Sequence, residues 1–199
     1  MFLLKFFSYD HLYSERIEMI EIMTVGHSNA SWDEFSYALG QFDIGCVIDV
    51  RSLPRSRWRH FNKPQLRVRL NQVGIAYVHM GDALGGMPVS GPTDYAARRG
   101  TETFNTAIDD ILAIAARCTP ALLCAEGDPL HCHRYTLIAR HLHSLSNVRV
   151  SHIRHDGTLE SHDEAEERLL TLHKLSGALL TDRGERLAEA YARQERKLG

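Results

Sequence analysis

Eleven consecutive residues, Cys124-Ala-Glu-Gly-Asp-Pro-Leu-His-Cys-His-Arg134, carry two thiols, two imidazoles, two carboxylates and a guanidinium. Three chemistries fit that set. In the first, Cys124 or Cys132 is a nucleophile and His133 or Glu126 its acid or base, acting on a phosphoryl or sulfur-bearing substrate. A phosphate-wrapping loop of the phosphatase kind is not reproduced, because no Arg stands six positions after either Cys. The second is metal binding by Cys124, His131, Cys132 and His133. Asp128-Pro129 reads as a helix start, and neighbours on a helix point about 100° apart, so the last three cannot all face one ion. No second Cys-x-x-Cys pair exists either, and no metal is expected here. The third is structural: both thiols packed between strand and helix, with His133 and Arg134 hydrogen-bonded to loop carbonyls or to Asp49.

A second anomaly lies between Arg51 and Gly81. Arg51, Arg55, Arg57, Arg59, Lys63, Arg67 and Arg69 occur there without one Asp or Glu, although the whole chain carries a formal charge of −2. Segregation of sign marks an anionic partner, and the fixed donor fork of Arg suits phosphate. Trp58, His60 and Phe61, interleaved with these cations, are suited to stacking on bases. The plainer alternative is a solvated basic face paired with the acidic carboxy-terminal helix.

These residues must be positioned by a scaffold, and its pattern is regular. Ile22–Val25, Cys46–Val50, Ile75–His79, Ala121–Cys124 and Val148–Ile153 read as short, mostly apolar strands. Helical periods separate them: Phe35, Leu39 and Phe42 behind a Ser31/Glu34 capping box; Leu66, Leu70 and Val73 behind Asn62 and Pro64; Phe104 to Ala115; and Ile138, Leu142 and Leu145. Apolar strands alternating with helices predict an open α/β fold: a mostly parallel five-stranded sheet with helices on both faces, a Rossmann-like three-layer sandwich. Two further helices, one behind a Ser161/Glu164 capping box and one over about 182–197, extend it at the carboxy terminus. Residues 1–22 lie outside the pattern as an amino-terminal extension, and 23–199 form a single domain.

In such sheets ligands sit beyond the carboxyl ends of the strands. Residues just after the strands are unusually polar: Gly26-His27-Ser28-Asn29 after the first, then Asp49, Arg51, Ser52, Arg55 and Ser56, then His79 and Leu84-Gly85-Gly86, then the Cys124–Arg134 run. The expected site gathers His27, Ser28, Asp49, Arg51, Arg55, Ser56 and Arg134 as ligand-binding residues, with Cys124, Glu126, Cys132 and His133 as the chemical groups.

Gly26-His27-Ser28, Asp49-Val50-Arg51-Ser52-x-Pro54-Arg55-Ser56, Phe61-Asn62-Lys63, Tyr77-Val78-His79, Leu84-Gly85-Gly86 and Leu123-Cys124-Ala125-Glu126 with Cys132-His133-Arg134 occur in that order. Together they resemble the family catalogued as Domain of Unknown Function 488, over a span from about Met23 to the final helix. The resemblance implies one α/β domain with these motifs gathered in one pocket, and supplies no reaction. A fainter likeness to rhodanese-type sulfurtransferases, in Asp-x-Arg after a strand and Cys at the end of a later one, is an analogy of architecture only. Glu126 and Asp128 stand where an anionic sulfur substrate would be repelled.

Composition bounds the rest. A chain of 199 residues that is 44% hydrophobic supports one ordinary core without disulfides, and only 14 Gly and 6 Pro exclude a fibrous chain. No run approaches the ~20 apolar residues of a membrane span, and Met1–Phe7 is interrupted by Lys5 and lacks a leader pattern. The expectation is a cytoplasmic protein with four free thiols. It would bind a phosphate-bearing ligand, nucleotide or nucleic acid, in the Cys/His/Arg pocket. The alternative is a non-catalytic nucleic-acid-binding module using the strip 51–69. No cofactor is named by the sequence.

Overall fold

The computed structural model describes residues 19–87, 91, 94–177 and 181–198. The chain runs β1 (Ile20–Gly26), α1 (Trp32–Gln41), β2 (Ile44–Asp49), α2 (Lys63–Gln72), β3 (Ala76–His79), α3 (Gly81–Leu84), α4 (Tyr95–Arg99), α5 (Glu102–Ala115), β4 (Thr119–Cys124), α6 (Arg140–His143), β5 (Val148–Ile153), β6 (Leu159–Ser161), α7 (His162–Leu172) and α8 (Arg183–Leu198). The strands form one sheet in the order β3-β2-β4-β1-β5-β6. All neighbours are parallel except β5 and β6.

The sixth strand is absent from the sequence pattern, which gives five. It is three residues long, too short for a period to register, and it folds back on β5 with Ser151 opposite Ser161. Gly157, at φ +82°, makes the turn before it. At the other end β1 begins at Ile20 and pairs with Val148, so residues 20–22 belong to the sheet rather than to an extension. The remainder of the expected extension, 1–18, lies outside the described residues.

Alternation along each strand divides the apolar side chains between two faces. Met23, Val25, Val47, Ala121 and Leu123 meet Phe35 and Leu39 of α1 and Leu66 and Leu70 of α2. Ile22, Cys46, Ile48 and Leu122 meet Phe104, Ile108 and Ile111 of α5 together with Leu137, Ile138 and Leu142. Helices α7 and α8 pack on Leu130 and Tyr135. The chain thus leaves β1 and β2 toward one face and β4 toward the other, which makes the carboxyl ends of β2, β4 and β1 the topological switch point.

The helix expected from Asp128 is not continuous. Asp128 does cap a start, its side chain accepting from the Leu130 N–H, but the single 3₁₀ turn Pro129–His131 ends at Cys132, whose backbone is extended (φ −142°, ψ 142°). A π-helix, Arg134–Ala139, follows and leads into α6. Asn62 stands at the N-cap position of α2 without capping it, because its Oδ1 accepts from the Ser56 N–H at 2.7 Å instead.

Candidate functional site

Three strand ends meet at the switch point, Gly26 opposite Cys124 and Asp49 opposite Leu123. Asp49 is fully buried, so its carboxylate must be answered by charge or hydrogen bonds. Its Oδ1 accepts from Arg51 Nε (2.7 Å) and the Arg51 N–H (3.2 Å), and its Oδ2 from Arg51 Nη2 and from the Tyr77 hydroxyl (2.8 Å). Arg51 Nη2 also donates to the Phe61 carbonyl, at 2.9 Å, and Nη1 lies 3.3 Å from His27 Nε2.

His27 Nδ1 donates to the Ser28 carbonyl (3.0 Å), which leaves Nε2 as the acceptor for Arg51, and the ring stacks on Phe61 at 4.3 Å. Burial, then the Arg51 charge, lowers the His27 pKa to about 4. The imidazole is neutral. Asp49, Arg51, His27, Tyr77 and Phe61 therefore form a closed latch that fixes the loop after β2.

Arg134 is likewise sealed, with no exposure. Its Nη1 donates to the Glu126 carbonyl, Nη2 to the Gly127 carbonyl (2.9 Å) and Nε to Thr24 Oγ1 (3.4 Å). Gly26 permits this closure: a Cβ there would stand 1.8 Å from the Glu126 carbonyl oxygen and 3.0 Å from Arg134 Nη1. Arg51 and Arg134, expected to grip an anion, thus bind protein groups, a carboxylate in one case and carbonyls in the other. Glu126 contributes its carbonyl, while its side chain is exposed. Ser56 shapes a turn, its Oγ accepting from the Trp58 N–H at 3.1 Å. Ser28 holds a left-handed backbone at φ 45°.

Beside the latch the thiols converge. The sulfurs of Cys124 and Cys132 lie 3.8 and 3.7 Å from His133 Nδ1, and both cysteines are nearly inaccessible. The extended backbone at Cys132 makes this possible: neighbours that a continuous helix would splay apart both reach the end of β4. His133 Nε2 lies 3.0 Å from the Val50 carbonyl and must donate to it, so Nδ1 presents its lone pair to the sulfurs. The Arg134 N–H points at Cys132 Sγ (3.4 Å). Hydrogen bonding to Cys132, then burial, raises the Cys124 pKa. Burial also opposes ionisation of Cys132, but the Cys124 thiol and the Arg134 charge outweigh it and hold Cys132 below the ordinary thiol range. His131, by contrast, is exposed and takes no part.

The Leu84-Gly85-Gly86 motif and several residues outside any motif also contribute. Gly86 lies against His133, where a Cβ would come within 3.1 Å of Nδ1. Tyr95 and Arg98 are buried nearby, Arg98 donating to the Ala83 carbonyl at 3.1 Å with its Nη1 unpartnered among the described residues. Behind Arg134 runs a buried chain. Thr24 Oγ1 contacts His152 Nδ1 (2.8 Å), His152 Nε2 contacts His162 Nδ1 (3.2 Å), His162 Nε2 contacts the Tyr191 hydroxyl (2.9 Å), and that hydroxyl donates to Glu166 (3.1 Å). One assignment satisfies every link: Thr24 donates to His152, His152 to His162, His162 to Tyr191 and Tyr191 to the carboxylate, both imidazoles being neutral. These histidines are scattered in sequence, and only the β1–β5 pairing and the packing of α7 and α8 bring them together.

The basic strip is at the surface. Arg55, Arg57, Arg59, Lys63, Arg67 and Arg69 are exposed, and none makes a salt bridge among the described residues. Acids of the carboxy-terminal helices pair elsewhere, Glu166 and Glu167 with Arg183 and Glu189 with Arg193. Arg57 stacks over the Trp58 ring (5.2 Å) and Arg69 over Trp32 (5.3 Å). Among the described residues no helix is long and apolar enough to cross a membrane.

Comparison with curated proteins and with solved structures returned no match. A family model described as Domain of unknown function DUF488 matches residues 31–141, a stretch that runs from the cap of α1 into α6 and includes the Asp49–Arg51 latch, the basic strip and the Cys124–Cys132–His133 cluster. With more than half of its length covered in this way, the chain belongs to the DUF488 family.

Proposed function

We propose that this protein binds single-stranded nucleic acid along the exposed strip from Arg55 to Arg69, with the strand's phosphates on the cations and a base on Trp58. The observation that carries this reading is the set of six exposed cations in fifteen residues with no acidic partner among the described residues. An unpaired row of Arg and Lys releases counterions when it meets phosphates, and an exposed aromatic among them favours splayed bases over a duplex. In this reading Arg51 and Arg134 hold the edge of the sheet rather than the ligand. Binding in this reading is non-catalytic: Cys124 and Cys132 are nearly inaccessible beside His133, while the strip lies at the surface.

The test is fluorescence anisotropy of a labelled single-stranded oligonucleotide titrated at several salt concentrations. Each phosphate contact on a single strand contributes about −0.7 to the slope of log K against log salt, so Arg57→Ala with Arg59→Ala is expected to reduce that slope by about 1.4. Trp58→Ala is expected to weaken binding by about 1–3 kcal/mol. Wild-type protein that binds neither DNA nor RNA at low salt, or a variant with an unchanged slope, overturns the assignment.

A further inference from the structure

We propose that Cys124 Sγ, Cys132 Sγ and His133 Nδ1 are the ligands of a zinc ion. The three donor atoms lie within 4.8 Å of one another, with the sulfurs 3.8 and 3.7 Å from the nitrogen. A tetrahedral ion with Zn–S of about 2.3 Å and Zn–N of about 2.0–2.1 Å separates a sulfur from a nitrogen by about 3.6 Å, so the two sulfur–nitrogen edges are already nearly those that the metal requires.

The surroundings are also those of a metal ligand set. The far nitrogen of His133 is anchored on the Val50 carbonyl, the usual way in which a protein fixes the tautomer and ring plane of a coordinating imidazole. The Arg134 N–H supports the Cys132 sulfur from outside. Two thiolates buried side by side would repel each other and lose their hydration, and a divalent cation between them cancels both penalties. Two sulfurs and an imidazole suit zinc better than a hard, oxygen-seeking ion.

The objection that residues 131–133 splay apart on a helix does not apply to the folded chain, since Cys132 is extended and His131 is not needed. Among the described residues no fourth Cys, His, Asp or Glu joins the three. The described residues thus supply three of the four ligands of a tetrahedral ion. A second grouping, His143, Asp163 and Glu166, does not compete: Glu166 already binds Arg183 and Tyr191, and Asp163 is a surface partner of His143.

The inference is independent of nucleic-acid binding, and its test uses no variant of the strip. Full-length protein, purified without chelator, is analysed for metal, then stripped and refilled with Zn²⁺ or Co²⁺. One equivalent of zinc per chain is expected, and Co²⁺ should give the intense visible bands and sulfur-to-metal charge-transfer absorption of a tetrahedral thiolate site. Cys124→Ser, Cys132→Ser and His133→Asn should each lower the zinc content from one equivalent to near zero, whereas Cys118→Ser should keep it. Wild-type protein that takes up no zinc and gives no cobalt spectrum overturns the proposal even if the variants fail to fold. So does a metal-free Cys124–Cys132 disulfide in protein purified under reducing conditions, or full zinc retention by Cys132→Ser.

Discussion

Acid should destabilise this fold before its carboxylates titrate, and the buried histidines set the size of the effect. Burial, then the Arg51 charge, lowers His27 to about 4, and burial, then the charges of His143 and Arg140, lowers His162 to about 3. In the unfolded chain both return to about 6.5. The unfolded state then takes up protons that the folded state refuses, so stability is complete above about pH 6.5 and is lost as pH falls through that value. Between pH 7 and pH 5 the linkage relation gives about 2 kcal/mol for each imidazole, about 4 kcal/mol for the two. The figure is insensitive to the folded values, because both lie below pH 5 and the unfolded titration dominates. His152, fully buried, acts in the same direction. A loss of that size is a large part of the ~5–15 kcal/mol that holds an ordinary domain together. Urea denaturation followed by circular dichroism at pH 7 and pH 5 measures it. His27→Asn and His162→Asn should each reduce the difference between the two pH values by about 2 kcal/mol, whatever they do to absolute stability. A wild-type difference below about 1 kcal/mol, or variants with an unchanged difference, would refute the claim that these rings are neutral and buried.

Other substitutions probe the latch and the closure over Arg134. Asp49→Asn removes the buried carboxylate that answers Arg51, and is expected to cost about 3–5 kcal/mol in urea denaturation. Replacing both residues by apolar ones should recover much of that loss. Gly26→Ala places a methyl group 1.8 Å from the Glu126 carbonyl oxygen. The backbone must move, so a loss of about 3 kcal/mol or more is expected, and a melting temperature equal to wild type would show that the turn closes differently.

Much of the fold is legible because its physics is local. The Ser31/Glu34 and Ser161/Glu164 capping boxes are present, and the five apolar runs are strands. The antiparallel β6 is too short to have a period, and its pairing is dictated by the turn at Gly157 and by β5. Asn62 shows the limit of cap signals: position and residue type agree with a cap, yet a closer donor at Ser56 takes its oxygen. At the site, sequence order brings Arg51 and Arg134 to the correct edge but does not tell a guanidinium that faces solvent from one that closes a loop. That depends on whether Asp49 and the 126–127 carbonyls lie within reach, which the β2–β4–β1 order decides. The helical reading of 131–133 fails for a related reason, since a single 3₁₀ turn and an extended residue leave no trace in residue type.

The π-helix at Arg134–Ala139 has a consequence for how the site tolerates change. Its wider turn holds one residue more than an α-turn would, and Arg99 binds the Thr136 carbonyl from outside at 3.1 Å. A deletion of one residue within it would relax the segment to ordinary α-helix and leave β4 and α6 where they are. The Cys132–Arg134 corner would then keep its aim, whereas the same deletion in a regular α-helix would rotate it by about 100° about the axis. The wide turn is slack in the backbone: one residue of length can be given up there without re-aiming the thiol and imidazole at that corner.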